Sequence, residues 1–257
     1  MEIQFDEATH TYSVGDTRYI SVTTFKALFF DKFDSSATID RMMASPKWTS
    51  SKYFGKSKAE ITKEWDDAGL ESRQEGTRLH KSIELYYNGT PVEDPSKEYS
   101  QFLAFAREMP LKPFRAEWTV FHPDYALAGT IDMVFERPDG VVEIFDWKRT
   151  KALVKTGFRF AKPPIEHLPD TNYWQYAVQL NLYRFILETK YNKTVGAMYL
   201  VCFHPTLDAF QKEEVCRLPM EDLLKSTLPR ESTGTSCPHT NTTPAFQPPS
   251  TMCPALL

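Results

Sequence analysis

Apolar and polar positions along the chain switch between a two-residue period and a period of three to four, and each switch predicts an element. Residues 2–25 read as a β-hairpin and its exit. Phe5 and Tyr12 flank polar residues, Gly15-Asp16 makes a turn, and Tyr19-Ile20-Ser21-Val22-Thr23 is rich in β-formers. Ser21 to Thr24 also fits the start of a helix. Helical patches follow over 39–43, where Ser45-Pro46 breaks the pattern, and over 59–68. A stronger helix covers 73–88, with Leu79, Ile83 and Tyr86 or Tyr87 as its apolar stripe and Asn88-Gly89 as its stop. Gly76 is expected to let another backbone lie close to this helix. A further helix over 96–108 carries Tyr99, Phe102, Leu103 and Phe105 and ends at Pro110. Residues 114–122 alternate like a strand, expected to pair with the strand of Asp132 across the Pro123-Asp124 turn. Two more strands, 129–135 and 141–148, flank the turn residues Pro138-Asp139-Gly140. Residues 172–190 are the clearest helix, 195–203 a buried strand and 210–217 another. The order of hairpin, helices, three strands, helix and strand is a mixed α/β plan.

Composition sets the limits of that plan. From Ser226 onward the chain is mostly Ser, Thr and Pro, so 226–257 is expected to be a disordered tail behind a folded unit of 1–225. Within that unit, 1–75 is the N-terminal hairpin and helical cap and 76–225 the core. The 257 residues suffice for a sizeable core, and 41% hydrophobic with 25% charged residues is an ordinary soluble composition. No apolar run approaches a membrane span, and the acidic start carries neither a signal-peptide nor a transit pattern, so an intracellular protein with no membrane partner is expected. A net charge of −4 argues against a protein that coats nucleic acid non-specifically, but leaves room for a local basic path. Cys202, Cys216, Cys237 and Cys253 form no C-x-x-C and read as ordinary thiols; Cys237-Pro-His239 is no metal site by itself.

Several polar residues interrupt the apolar pattern where chemistry is possible. Asp146 and Lys148 are two apart on one strand and therefore share a face, and an antiparallel hairpin brings Asp132 beside them. Two carboxylates and a lysine at strand ends are what metal-assisted phosphodiester hydrolysis requires: oxygen ligands for a hard cation, and an ammonium to orient water or offset negative charge. Solvated strand ends are the plainer reading of the same residues. His80 and Glu84 share one face of a helix, as a ligand pair or as surface residues. Glu117 is either an acid near the site or an exposed strand acid. Lys47, Lys52, Lys56, Lys58 and Lys63 interleave with Trp48, Tyr53, Phe54 and Trp65, which suits single-stranded nucleic acid or, equally, a helical cap with an aromatic core. Lys148, Arg149, Lys151, Lys155, Arg159 and Lys162 follow one another without an intervening acid, as a phosphate track or a solvated loop. Gln175, Gln179 and Tyr183 repeat along one helix face and either bond phosphate or a metal-bound water, or form a polar edge. His10 reads as a turn or surface residue.

Taken in order, Gly76-Thr77-Arg78-Leu79-His80 with Glu84, Glu117, Gly129-Thr130-Ile131-Asp132, Asp146-Trp147-Lys148 and Gln179-x-x-x-Tyr183 resemble the PD-(D/E)xK nuclease superfamily, and more narrowly its RecB-type exonuclease branch. Glu7-x-x-His10-x-Tyr12 and Ser21-Val22-Thr23 are similar to the openings of some viral and phage members. The likeness covers residues 5–205. It implies a restriction-endonuclease-like core, a mixed central β-sheet flanked by helices. It also implies a Mg²⁺- or Mn²⁺-dependent DNA exonuclease of replication, repair or recombination, acting on DNA that is single-stranded or has a free end. By the resemblance, His80, Asp132, Asp146 and the Trp147 carbonyl hold metal, and Lys148 positions the water. Gln179, Tyr183, Glu84, Glu117, Arg149 and Lys151 bind DNA or support the site. Some relatives carry an iron–sulfur cluster with a cysteine ahead of the core; no cysteine precedes Cys202, so no such cluster is expected. A structure-specific flap or junction endonuclease, and a non-catalytic DNA-binding module, are the alternatives.

Overall fold

A computed structural model describes residues 3–6, 9 and 11–228. His10, Glu7, Cys237, His239, Cys253 and the rest of the tail expectation beyond Leu228 lie outside them. The strands are β1 (Gln4–Asp6), β2 (Thr11–Val14), β3 (Thr17–Ser21), β4 (Pro113–His122), β5 (Leu127–Glu136), β6 (Val142–Arg149), β7 (Val195–Phe203) and β8 (Gln211–Glu214). The helices are α1 (Val22–Ala27), α2 (Ser35–Met43), α3 (Lys58–Tyr87), α4 (Lys97–Glu108), α5 (Asn172–Lys190) and α6 (Glu221–Thr227).

One mixed sheet organises these elements, in the order β1-β2-β3-β5-β6-β7-β8 with β4 added against β5. β3 runs parallel to β5 and β6 parallel to β7, while β5 is antiparallel to β4 and to β6, and β8 is antiparallel to β7. The molecule is therefore mixed α/β, with helices on both faces of the sheet. On β6, Val142 and Ile144 join the cluster beneath α5 and α1, with Leu180, Ile186 and Phe25. Phe145 and Trp147 point the other way, into Leu79 and Ile83 of α3 and Phe102 and Phe105 of α4. This two-residue alternation, with both faces apolar, is what a buried central strand requires.

Three expectations need correction. The patches over 59–68 and 73–88 are one 30-residue helix, α3. Its middle is too polar to show a stripe, yet Glu, Arg and Gln propagate a helix well, and Gly69 costs only about 1 kcal/mol. A full capping box between Ser57 and Glu60 starts it. Gly76 does not admit a neighbouring backbone, since nothing lies within 4 Å of where its Cβ would stand. The strand expected over 210–217 shortens to Gln211–Glu214, and α6 carries helix two residues into the stretch read as tail. Ser21 does cap α1, accepting from the Thr24 amide at 2.9 Å, and among the described residues no helix is long and apolar enough to cross a membrane.

Candidate active site

A strand has two edges, and β5 uses one of them in full for β4. Along the other edge β3 pairs only with Leu127 and Ala128, and β6 only with Met133 through Glu136. Residues 129–132 are left between them without a strand partner on that side. Asp132 occupies the end of this notch. The Trp147 amide donates to Asp132 Oδ2 at 2.8 Å, so the carboxylate replaces the carbonyl where the ladder stops.

Asp146 lies on the same face of β6 as Ile144, and the alternation that buries Ile144 carries the carboxylate under α5, where it is 1% exposed. Gln179 Nε2 donates to its Oδ1 at 3.2 Å, and Lys148 Nζ stands 2.5 Å from its Oδ2. Burial raises the Asp146 pKa, and Lys148 partly offsets the rise. Burial works against the Lys148 ammonium as well, but Asp146 and Asp132 outweigh it and hold its pKa above the ordinary lysine value. Lys148 is thus a cation at neutral pH.

A second lysine, Lys26 on α1, was not singled out in the sequence. Its Nζ donates to Gln179 Oε1 at 2.8 Å, which fixes the amide with its nitrogen toward Asp146. Lys26 and Lys148 both stand over the Tyr176 ring, at 5.4 and 4.8 Å. Burial, and then repulsion from Lys148, lower the Lys26 pKa to about 8. A solitary lysine in a short helix gives no sequence signal; only the packing of α1 against α5 brings it here.

Tyr183, fully buried one turn beyond Gln179, closes the notch from above, and its phenol pKa is pushed well up, chiefly by burial. Its ring lies so close to β5 that a Cβ at Gly129 would stand 2.8 Å from Tyr183 Cε1. The glycine before Asp132 is a packing requirement of the site.

His80 enters from α3. Its Nε2 is 2.9 Å from the Trp147 carbonyl, which can only accept, so Nε2 carries a proton and donates. Nδ1 is 3.6 Å from Asp132 Oδ2. Ligand atoms of His80, Glu117 and Asp132 all fall within 4.8 Å of one another. Glu117 sits at φ 45°, unusual for a non-glycine residue, and the turned backbone directs its carboxylate toward Asp132 on the neighbouring strand. Burial, then the charges of Asp132, Glu84 and Asp146, raise its pKa to about 8. With both carboxylates ionised and the imidazole neutral, the three groups would present converging oxygen and nitrogen lone pairs that could hold a divalent cation.

Among the remaining expectations, Glu117 belongs to the site and is not an exposed strand acid. The Trp147 carbonyl faces His80, and Asp146 stands outside the three-residue cluster, with its oxygens turned to Gln179 and Lys148. Glu84 pairs with Lys81 at 2.8 Å. Arg149 is spent on Glu98, 2.7 Å away and almost buried, where it ties β6 to α4. The basic loop after Lys148 is largely neutralised: Lys155 pairs with Glu213, Arg159 with Asp170 and Lys162 with Asp31. Lys151 is exposed. Gln175 bonds Asp170, away from the carboxylates.

No protein-family model and no curated protein matches the chain. A solved structure described as "Crystal structure of SSO0001" aligns with 82% of this chain and 73% of its own, at 14% identity and a TM-score of 0.32.

Proposed function

We propose that the protein is a divalent-cation-dependent deoxyribonuclease built on a restriction-endonuclease-like core, acting as an exonuclease on single-stranded DNA or on free ends. The observation that carries this reading is the convergence of His80, Glu117 and Asp132 beside the buried Asp146–Lys148 pair. Mg²⁺ or Mn²⁺ held by His80, Glu117 and Asp132, with Asp146 next to them, supplies charge neutralisation at the phosphate and a more acidic water. The chain's own part is positional. Lys148 keeps its proton and donates to a phosphate oxygen or orients the attacking water. Gln179, fixed by Lys26, holds Asp146 in place, and Tyr183 packs over Gly129 on the α5 side of the notch.

The test is an assay on end-labelled single-stranded, double-stranded and circular DNA with Mn²⁺, comparing the wild type with Asp132→Ala, Asp146→Ala and Lys148→Ala. The expected outcome is loss of linear but not circular substrate, with each variant reduced by about a hundredfold or more. Cleavage of circles would make the enzyme an endonuclease. Binding without cleavage would leave a DNA-binding module, and cleavage surviving all three substitutions would remove the site.

A further inference from the structure

The cap holds a second cluster that the nuclease site does not use. Phe33 and Trp65 have ring centroids 5.9 Å apart, and Trp65 meets Tyr53 at 5.9 Å while its indole donates to the Tyr53 hydroxyl at 2.8 Å. Phe54, next in the chain, packs on Trp48 at 6.0 Å. These contacts fix the rings without covering them: Phe33 is 67% exposed and Phe54 56%. Lys52 and Lys56 stand over the Tyr53 ring at 4.6 and 5.7 Å.

Charge says what the rings are for. Between Asp40 and Glu60 the chain carries Arg41, Lys47, Lys52, Lys56 and Lys58 and no acid. Lys56 pairs with Glu64 and Lys58 with Asp40. Arg41, Lys47 and Lys52 make no ion pair among the described residues and are exposed. Protein-docking surfaces are depleted of lysine at their centres. Here lysines alternate with rings, the arrangement that lets phosphates meet charge while bases meet π-faces.

We propose that this surface of Phe33, Trp48, Tyr53, Phe54 and Trp65, with Arg41, Lys47 and Lys52, binds single-stranded nucleic acid. It names where the substrate of the proposed nuclease is held, and to that extent rests on that reading. Bases stack on Phe33 and Phe54, and the three cations follow the backbone.

The experiment is fluorescence anisotropy of the full chain in EDTA with a labelled oligothymidylate of about 20 nucleotides. Two double variants are compared with the wild type: Phe33→Ala with Phe54→Ala, and Lys47→Gln with Lys52→Gln. All four side chains are exposed, and unchanged circular dichroism and melting check the fold. The ring variant is expected to bind about tenfold or more weakly at every salt concentration. The lysine variant should bind more weakly with a salt slope shallower by about 1 to 1.5. Cleavage of a small nitrophenyl phosphodiester with Mn²⁺ should be the same in all three proteins. Unchanged oligonucleotide affinity in both variants overturns the proposal. So does sedimentation showing a wild-type dimer that the ring variant breaks, which would assign the surface to a second copy. Impaired binding in the variants, with no cleavage of any DNA by the wild type, upholds this surface and removes the nuclease reading alone.

Discussion

Glu117 shows how far one residue's environment departs from its sequence context. It lies in an alternating strand and has the pattern of an exposed acid. Yet its backbone turns to φ 45° and its carboxylate lies with Asp132 and His80. Its folded pKa, about 8, is far above that of an exposed glutamate. The folded state therefore binds the proton more tightly, and stability from this group is full below the unfolded glutamate pKa and lost as pH rises toward 8. In EDTA, Glu117→Gln should melt higher than the wild type at pH 8, with the gap closing toward pH 5. Mn²⁺ should raise the melting temperature of the wild type more than that of the variant, because the variant has lost a charged ligand. Calorimetry across pH checks both. A variant less stable than the wild type at pH 8 would mean that the carboxylate makes favourable contacts of another kind.

That Asp146 and Lys148 share a face with Asp132 alongside was legible in the sequence from strand alternation and the hairpin turn, whereas the ligand role of His80 came only with the family resemblance. Lys26 was not legible, since a lysine in a six-residue helix looks like any exposed lysine until α1 packs on α5. Arg149 misled for the converse reason: its partner, Glu98, is on α4, far away in sequence.

At the scale of elements, the helix α5 and the strands β5, β6 and β7 were legible because their apolar positions are dense and their turns are chemically marked. The unity of α3 was hidden by a polar midsection, where no burial enforces a stripe. The approach of α5 to β5 at the site rests on Gly129. Gly129→Ala should cost about 1–3 kcal/mol through overpacking against Tyr183 and Val22. It should also weaken the proposed nuclease activity by shifting Gln179, one turn from Tyr183. In a Tyr183→Ala background the same substitution should cost less, because the ring it strikes is gone. Equal costs in both backgrounds, measured by chemical denaturation, would show that the strain falls elsewhere.

For the whole molecule, a net charge of −4 conceals a division of labour. His80, Glu117 and Asp132 meet at the notch between β3 and β6, and Arg41, Lys47 and Lys52 stand exposed in an acid-free run of the cap. The basic loop after Lys148, which reads in the sequence as a phosphate track or a solvated loop, is mostly paired with the fold's own acids. α3 joins the two regions in a single rod, with Trp65 of the cap surface near one end and His80 in the notch near the other. Fifteen residues of helix separate them, a rise of about 22 Å, or about six nucleotides of stacked strand. With the proposed cap surface and the proposed notch site engaging one strand, that rod would act as a ruler. On that proposal, oligonucleotides too short to span it should engage the rings or the carboxylates but not both. Affinity across a length series should therefore step upward at about six to eight nucleotides and grow only slowly beyond.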